Sequence, residues 1–149
     1  MKISTRVEYG LIALTDIAMN CTDGCSVSSS EISERQNISQ KYLEQIIIAL
    51  RQGGFVKGMK GSRGGYVLSR PADMICLSDI LNALDNNILA DVSEDIGTQS
   101  GGLRCSVNVC LWDKINDFMR SFTGQMTLAD LINESTAYAD SMKDSVYYG

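Results

Sequence analysis

Apolar residues recur along the chain at two different periods, and the change of period marks out its elements. Val7, Leu11, Leu14 and Ala18 are spaced by four, three and four. That repeat lines one face of a helix and predicts a first helix from about Ser4 to Asn20. A polar stretch over residues 21–30 reads as a loop and contains Ser28, which Glu31 follows three residues later. The spacing is that of a capping box, in which two side chains satisfy amides left open at a helix start, so a short second helix is expected over Ser29–Gln36. Asn37, Ile38 and Ser39 then make a tight connection. Ser39 is suited to cap a third helix with Leu43, Ile46, Ile47 and Leu50 on its buried side. Two helices joined this closely are a helix-turn-helix candidate.

After Gly53 and Gly54 the period falls to that of strands. Residues 55–59 and 66–69 flank a glycine-rich cationic tip, Lys60 to Gly65, and together they predict a hairpin. Helix, turn, helix and hairpin in this order give a fold class that is mainly α with a small β-hairpin wing. The only proline, Pro71, marks a boundary. Beyond it, residues 74–77 form an apolar, strand-like run with Cys76 as a core residue, and Ser78 is placed to cap a helix through Leu84. Residues 86–103 read as a long polar loop. An amphipathic helix follows with Leu111, Ile115, Phe118, Met119 and Phe122 on one face and Asp113, Asn116, Asp117 and Arg120 on the other. A last short helix starts near Thr127. The expected division is a winged helix-turn-helix domain over residues 1–75 and a sensor loop with dimerisation helices over residues 76–149.

Composition fits a soluble globular chain: of 149 residues, 44% are apolar and 21% charged. No apolar run approaches the roughly 20 residues of a membrane span, and the opening residues lack a secretory core, so a cytoplasmic location without membrane contact is expected. The net charge of -5 is unevenly distributed. Residues 1–75 hold nine basic against seven acidic residues, and residues 76–149 four against eleven. Between Arg51 and Arg70 stand Arg51, Lys57, Lys60, Arg63 and Arg70 with no acid at all. This is the electrostatic footprint of a nucleic-acid contact, carried by one half of an acidic protein.

The candidate contacts to duplex DNA are Ser39, Gln40, Lys41, Tyr42, Glu44, Gln45 and Arg51 from the third helix, with Lys60, Ser62, Arg63 and Tyr66 from the hairpin. A polar helix face alone reads more readily as solvated surface. Its pairing with an acid-free hairpin favours DNA, with the helix in a major groove and the wing reaching an adjacent minor groove. Ile48 also falls on this face, open to thymine methyls or to the core. The glycine-rich tip lacks the GxxxxGK[ST] pattern of a phosphate loop and opens no helix. The large apolar residues of the helix over residues 111–122, with Trp112 beside them, exceed what so small a domain need bury, which points to a homodimer.

Five cysteines and no histidine are present. The absence of histidine removes Ser-His and Cys-His catalytic arrangements, and no other catalytic constellation appears, so an enzyme is not expected. Cys105 and Cys110 stand just before the amphipathic helix and are open to two readings, metal ligands or a pair of ordinary or redox-sensitive thiols. Cys21 and Cys25 flank a loop turn and are open to ligation, to a disulfide or to no special role, the last being simplest.

The segments MKISTRVEYGLIAL, ISERQNISQKYLEQIIIALRQGGFVKGMKGSRGGYVLSRP and TLADL resemble the Rrf-two family of winged-helix regulators, which includes IscR-, NsrR- and CymR-type proteins. The resemblance covers nearly the whole chain and is densest over residues 38–68. It implies a homodimeric DNA-binding repressor or dual regulator with a long helix at the dimer interface. It further implies base contacts from Lys41, Glu44 and Gln45 and a minor-groove contact from Lys60. Family sensors hold an iron-sulphur cluster through three cysteines and a fourth ligand. Here Cys105 and Cys110 match part of that group, and Glu8 matches an acidic ligand that some relatives recruit from the partner chain. A cluster-free regulator controlled by a partner protein or by thiol oxidation is the competing implication, and a winged-helix protein-interaction module the competing function.

Overall fold

The computed structural model describes residues 3–90 and 102–148. Most of the polar stretch expected as a loop, residues 91–101, lies outside the described residues. Helix α1 spans Thr5–Asn20 and turns Val7, Ala13, Leu14 and Ile17 into the core. Ser4 caps it, its hydroxyl accepting from the Val7 amide at 3.3 Å. Thr5 and Glu8, which have the spacing of a capping box, therefore lie inside the first turn and do not form the cap.

Helix α2 covers Ser29–Gln36, and the expected capping box closes it. The Glu31 amide donates to the Ser28 hydroxyl at 3.2 Å while the Ser28 amide donates to the Glu31 carboxylate at 2.7 Å. These bonds from Ser28 hold the Glu31 carboxyl below the usual carboxylate range. Asn37 ends the helix in the left-handed conformation, φ 53°, which asparagine tolerates better than most residues. Helix α3, Gln40–Gln52, follows at once and buries Leu43, Ile46, Ile47 and Leu50 as its periodicity requires. Burying each of these side chains contributes about 1.5–3 kcal/mol. Gly54, at φ 76°, turns the chain out of the helix.

Strands β1 (Val56–Met59) and β2 (Gly65–Leu68) pair antiparallel, from Val56 opposite Leu68 to Met59 opposite Gly65. Each begins and ends within one residue of the expected bounds. The hairpin does not stand alone. Tyr66 and Val27 exchange both backbone bonds, at 3.0 and 2.7 Å, so the loop before α2 acts as a short third strand.

The second half departs further from expectation. Helix α4 runs Leu77–Leu84 with Cys76 at the cap position and no side-chain capping bond, so Ser78 sits inside the helix and is not its cap. Met74 is exposed and Cys76 half-buried, while Ile75 and Leu77 on either side of Cys76 are in the core and the segment pairs with residues 126–128 by backbone bonds. Residues 103–125 are helical throughout: α5 (Leu103–Val107), a π-helical turn (Asn108–Trp112) and α6 (Asp113–Gln125). Cys105 and Cys110 thus belong to this helical run and do not precede it. The last helix, α7, spans Leu128–Tyr148 and is 21 residues long, not short. Thr127 and Asp130 cap it reciprocally at 2.9 and 3.1 Å.

Candidate nucleic-acid interface

Four residues of α3, namely Lys41, Glu44, Gln45 and Arg51, are exposed together with Gln40 and its cap Ser39. Ile48, 53% exposed, lies among them and not in the core. The opposite face is packed against α1, so the same amphipathic pattern that anchors the helix also directs its polar residues outward. Gln40 donates to the Glu44 carboxylate at 3.5 Å. Tyr42 is half-buried, its ring set edge-on to Tyr9 at 6.0 Å between centroids, which leaves it at the margin of the polar face.

Lys60, Ser62 and Arg63 are exposed at the wing tip, whereas Tyr66 is half-buried in β2. A groove of about 380 Å³ joins the two regions: Arg51 from the end of α3 and Lys60 and Tyr66 from the wing line it with Ser28 and Ser29 from the start of α2. The helix and the wing therefore present cations to a common depression, with no acidic residue on its wall.

What fixes the wing in this place was not legible in the sequence. Ser26 donates its hydroxyl to the Arg63 carbonyl at 2.7 Å, a contact across 37 residues. Gly65 lies so close to the loop that a Cβ there would stand 2.6 Å from the Val27 carbonyl carbon and oxygen. Arg70 clamps the base of the hairpin: its guanidinium lies 5.3 Å from the Phe55 ring centre and donates to the Gly54 carbonyl at 3.0 Å.

Cys105 and Cys110 are both exposed, on either side of the start of the π-helical turn. Glu8 is on the wall of a cleft of about 940 Å³ between α1 and α7, with Leu11, Met19 and Leu131. Among the described residues no three His, Cys, Asp or Glu side chains converge on a point where a metal ion could sit. Iron-sulphur clusters are held mainly by thiolates, four in the common types. Two thiols, no histidine anywhere in the chain and one carboxylate borrowed from a second copy do not fit that requirement.

Comparison with known proteins agrees with this architecture. A family model described as Rrf2, iron-dependent transcriptional regulator, matches residues 3–134. The chain belongs to the Rrf2 family. Within it, this Rrf2 protein is 37% identical over 146 residues to a Haemophilus influenzae protein assigned as an HTH-type transcriptional regulator, covering 97% of this chain and 95% of that one. It is 34% identical to the HTH-type transcriptional regulator IscR of Escherichia coli, over 89% of this chain and 81% of IscR. Among solved structures, CymR, the global cysteine regulator of B. subtilis, superposes with a TM-score of 0.74 at 30% identity, covering 90% of this chain and 98% of that one. The fold is the winged helix-turn-helix of this family, mainly helical with a two-stranded hairpin and a long carboxyl-terminal helix. Its members are DNA-binding regulators, not enzymes. No helix among the described residues is long and apolar enough to cross a membrane.

Proposed function

We propose that this Rrf2 regulator binds a specific duplex sequence as a homodimer and represses transcription from it. Residues 1–75 read the DNA, and residues 76–149 pair the chains and carry the sensor. The observation that carries the reading is the shared groove, where Arg51 of α3 and Lys60 of the wing meet. Such an arrangement suits a helix in the major groove and a hairpin in the adjacent minor groove. Lys41 and Gln45 then donate to base edges or phosphates, Glu44 accepts from a cytosine amine, and Ile48 meets a thymine methyl. Ser39, Gln40, Ser62 and Arg63 hold the flanking phosphates, with Tyr42 and Tyr66 at the margins.

Pairing of two chains is supported by the helical run over residues 103–125. Leu103, Leu111, Trp112, Phe118 and Phe122 are each 47% exposed or more, an unusual apolar surface for a chain that stays single. A symmetric pair offers two reading helices to a palindromic site. For the signal, exposed thiols fit the donor set better than a cluster does.

Selection of bound sites from random duplexes, followed by retention assays in a salt series, tests the reading. The expected result is a palindromic consensus, affinity that falls steeply with salt through counterion release, and weakening with Lys41→Ala and Lys60→Ala. A purified protein that ignores every duplex in dilute buffer while forming a stable complex with another protein overturns it in favour of a protein-interaction module.

A further inference from the structure

The polar face of α6 is not left to solvent. Asn116 and Arg120, one turn apart, are half-buried, and both donate to backbone carbonyls of residues 85–90, the segment that follows α4. The Asn116 side-chain nitrogen reaches the Ala90 carbonyl at 2.7 Å, and a terminal nitrogen of Arg120 reaches the Leu89 carbonyl at 2.6 Å. Asp117 accepts from the other terminal nitrogen of Arg120. The segment is braced from within as well. The Asn87 amide donates to the Asp85 carboxylate at 3.0 Å, the Ile88 amide donates to the Asp85 carbonyl at 3.2 Å, and Leu89 is buried. The apolar residues Ile115, Phe118 and Phe122 lie on the outward side of the same helix and are exposed.

The start of this segment is tied to the helix that supports α3. Arg6 of α1 donates through Nε to the Leu84 carbonyl at 2.9 Å, a contact across 78 residues. Gly10 of α1 meets Leu84 so closely that a Cβ there would stand 2.5 Å from both of its methyl carbons. Helix α1 in turn packs against α3. A second attachment lies farther along α6: the Cys76 thiol donates to the Gly124 carbonyl at 3.0 Å, and the Leu77 amide donates to the Met126 carbonyl at 2.9 Å. Asn116 and Gly124 are eight residues apart on α6, about 12 Å along its axis. Between the two attachments α4 packs on α6 through apolar contact, which is non-directional. A body held at two such points on a rod keeps its angle, whereas a body held at one can swing.

We infer that Asn116 and Arg120 are positioning residues that set which half-site spacing the regulator accepts. The inference rests on the proposed binding of a palindrome by two chains paired along α6. With the outward face of α6 in the pairing seam, its inward face is the joint between that seam and the winged domain. One base pair added between half-sites moves the second by about 3.4 Å and by about a tenth of a turn. The angle at which each winged domain leaves α6 therefore decides the spacing at which both reading helices engage together. The two carbonyl clamps fix that angle before DNA is met, so its ordering is not charged against binding. Neither residue is a candidate DNA contact, and both act only through the segment they hold.

The test compares the full-length native chain with Asn116→Ala and Arg120→Gln on four duplexes: the palindrome obtained by site selection, the same palindrome with its spacer one base pair shorter or longer, and a single half-site. The native chain is expected to lose affinity on the order of tenfold with either altered spacer, as the second half-site falls out of reach. Both variants are expected to sediment as the native chain does and to bind the single half-site equally well. Their affinity for the selected palindrome should fall, and their discrimination among the three spacers should flatten to about threefold or less. Damage to the reading domain itself would instead lower half-site and palindrome binding together. A spacer profile as sharp as the native one, a parallel fall on the half-site, or a variant that sediments as a monomer would each overturn the inference. A native chain that retains no duplex, or that binds the palindrome no better than the half-site, overturns the binding reading and this inference with it.

Discussion

Arg35 grips Asp16 in a two-pronged pair, its Nε donating to one carboxylate oxygen at 3.1 Å and its terminal nitrogen to the other at 2.7 Å. Gln36 adds a third donor at 2.7 Å. The pair joins α1 to α2 at the foot of the helix-turn-helix, and its two halves differ in surroundings: the Asp16 side chain is 1% exposed and that of Arg35 is 38%. Burial alone would raise the Asp16 carboxyl, but hydrogen bonds from Arg35 and Gln36 and the guanidinium charge hold it below the usual aspartate range.

The asymmetry predicts unequal losses. Arg35→Ala strands a buried carboxylate with only neutral donors, Gln36 and Asn20, and is expected to cost about 2–3 kcal/mol. Asp16→Ala leaves a guanidinium that can turn to water, and is expected to cost less. Because the folded Asp16 carboxyl is depressed, the stability it contributes is full above the ordinary aspartate range and disappears as pH falls through the folded value. Urea unfolding against pH is therefore expected to show an acid loss that Arg35→Ala flattens. Equal costs for the two variants would contradict this account.

The first half of this fold was open to reading because its signals are local. Ser28 and Glu31, the Leu43–Ile46–Ile47–Leu50 stripe and Gly54 each act within one helical turn, and each did in the structure what its spacing implied. Ser78 misled because serine suits a cap in general, while here the chain enters α4 already tied by Leu77 to Met126, and no side-chain cap forms. The length of α7 was hidden for another reason. Beyond Ile132 its Tyr138, Met142 and Val146 are exposed, so no buried stripe marks the distal half. The candidate interface splits the same way: the exposure of the polar face of α3 was legible, but the seating of the wing depends on Ser26, Val27 and Gly65, which meet only in three dimensions.

Gly65 gives that seating a direct test. A Cβ at this position would stand 2.6 Å from the Val27 carbonyl and 2.9 Å from the Ser28 amide nitrogen, all of them backbone atoms. Gly65→Ala must push β2 off the loop, at an expected cost of about 1–3 kcal/mol. The wing then loses its third strand, and duplex affinity is expected to fall with stability. Gly58→Ala, with open space around its Cβ, serves as the control in the same hairpin. Matching behaviour of the two variants in thermal unfolding and in duplex retention would show that the close approach is not what seats the wing.

The thiol count predicts the outcome of reconstitution. With Cys105 and Cys110 as the only cysteines of the helical run and no histidine in the chain, anaerobic incubation with iron and sulphide is expected to leave the desalted protein colourless and without stoichiometric iron. Thiolate-to-iron absorption that survives desalting, and that Cys105→Ser abolishes, would mean that the remaining ligands come from a second chain or from residues 91–101.

The proposed pairing of two chains is tested most sharply at Phe118 and Phe122, 72% and 60% exposed and four residues apart on α6. Side chains at this spacing stack on one face of a helix, and burying each in a pair of chains contributes about 1.5–3 kcal/mol. Phe118→Glu places a charge in that seam on both chains at once, where two carboxylates meet across the symmetry axis or lose their water. Sedimentation is expected to show a dimer for the native chain and a monomer for the variant, with the helical content retained, because neither phenylalanine belongs to the core. Duplex affinity should fall far more than the single contact implies. Each wing and reading helix then binds alone, and the local concentration that tethering gives the second half-site is gone. A variant that stays dimeric, or a monomer that retains full affinity for a palindromic duplex, would separate DNA reading from this helix and move the pairing surface elsewhere.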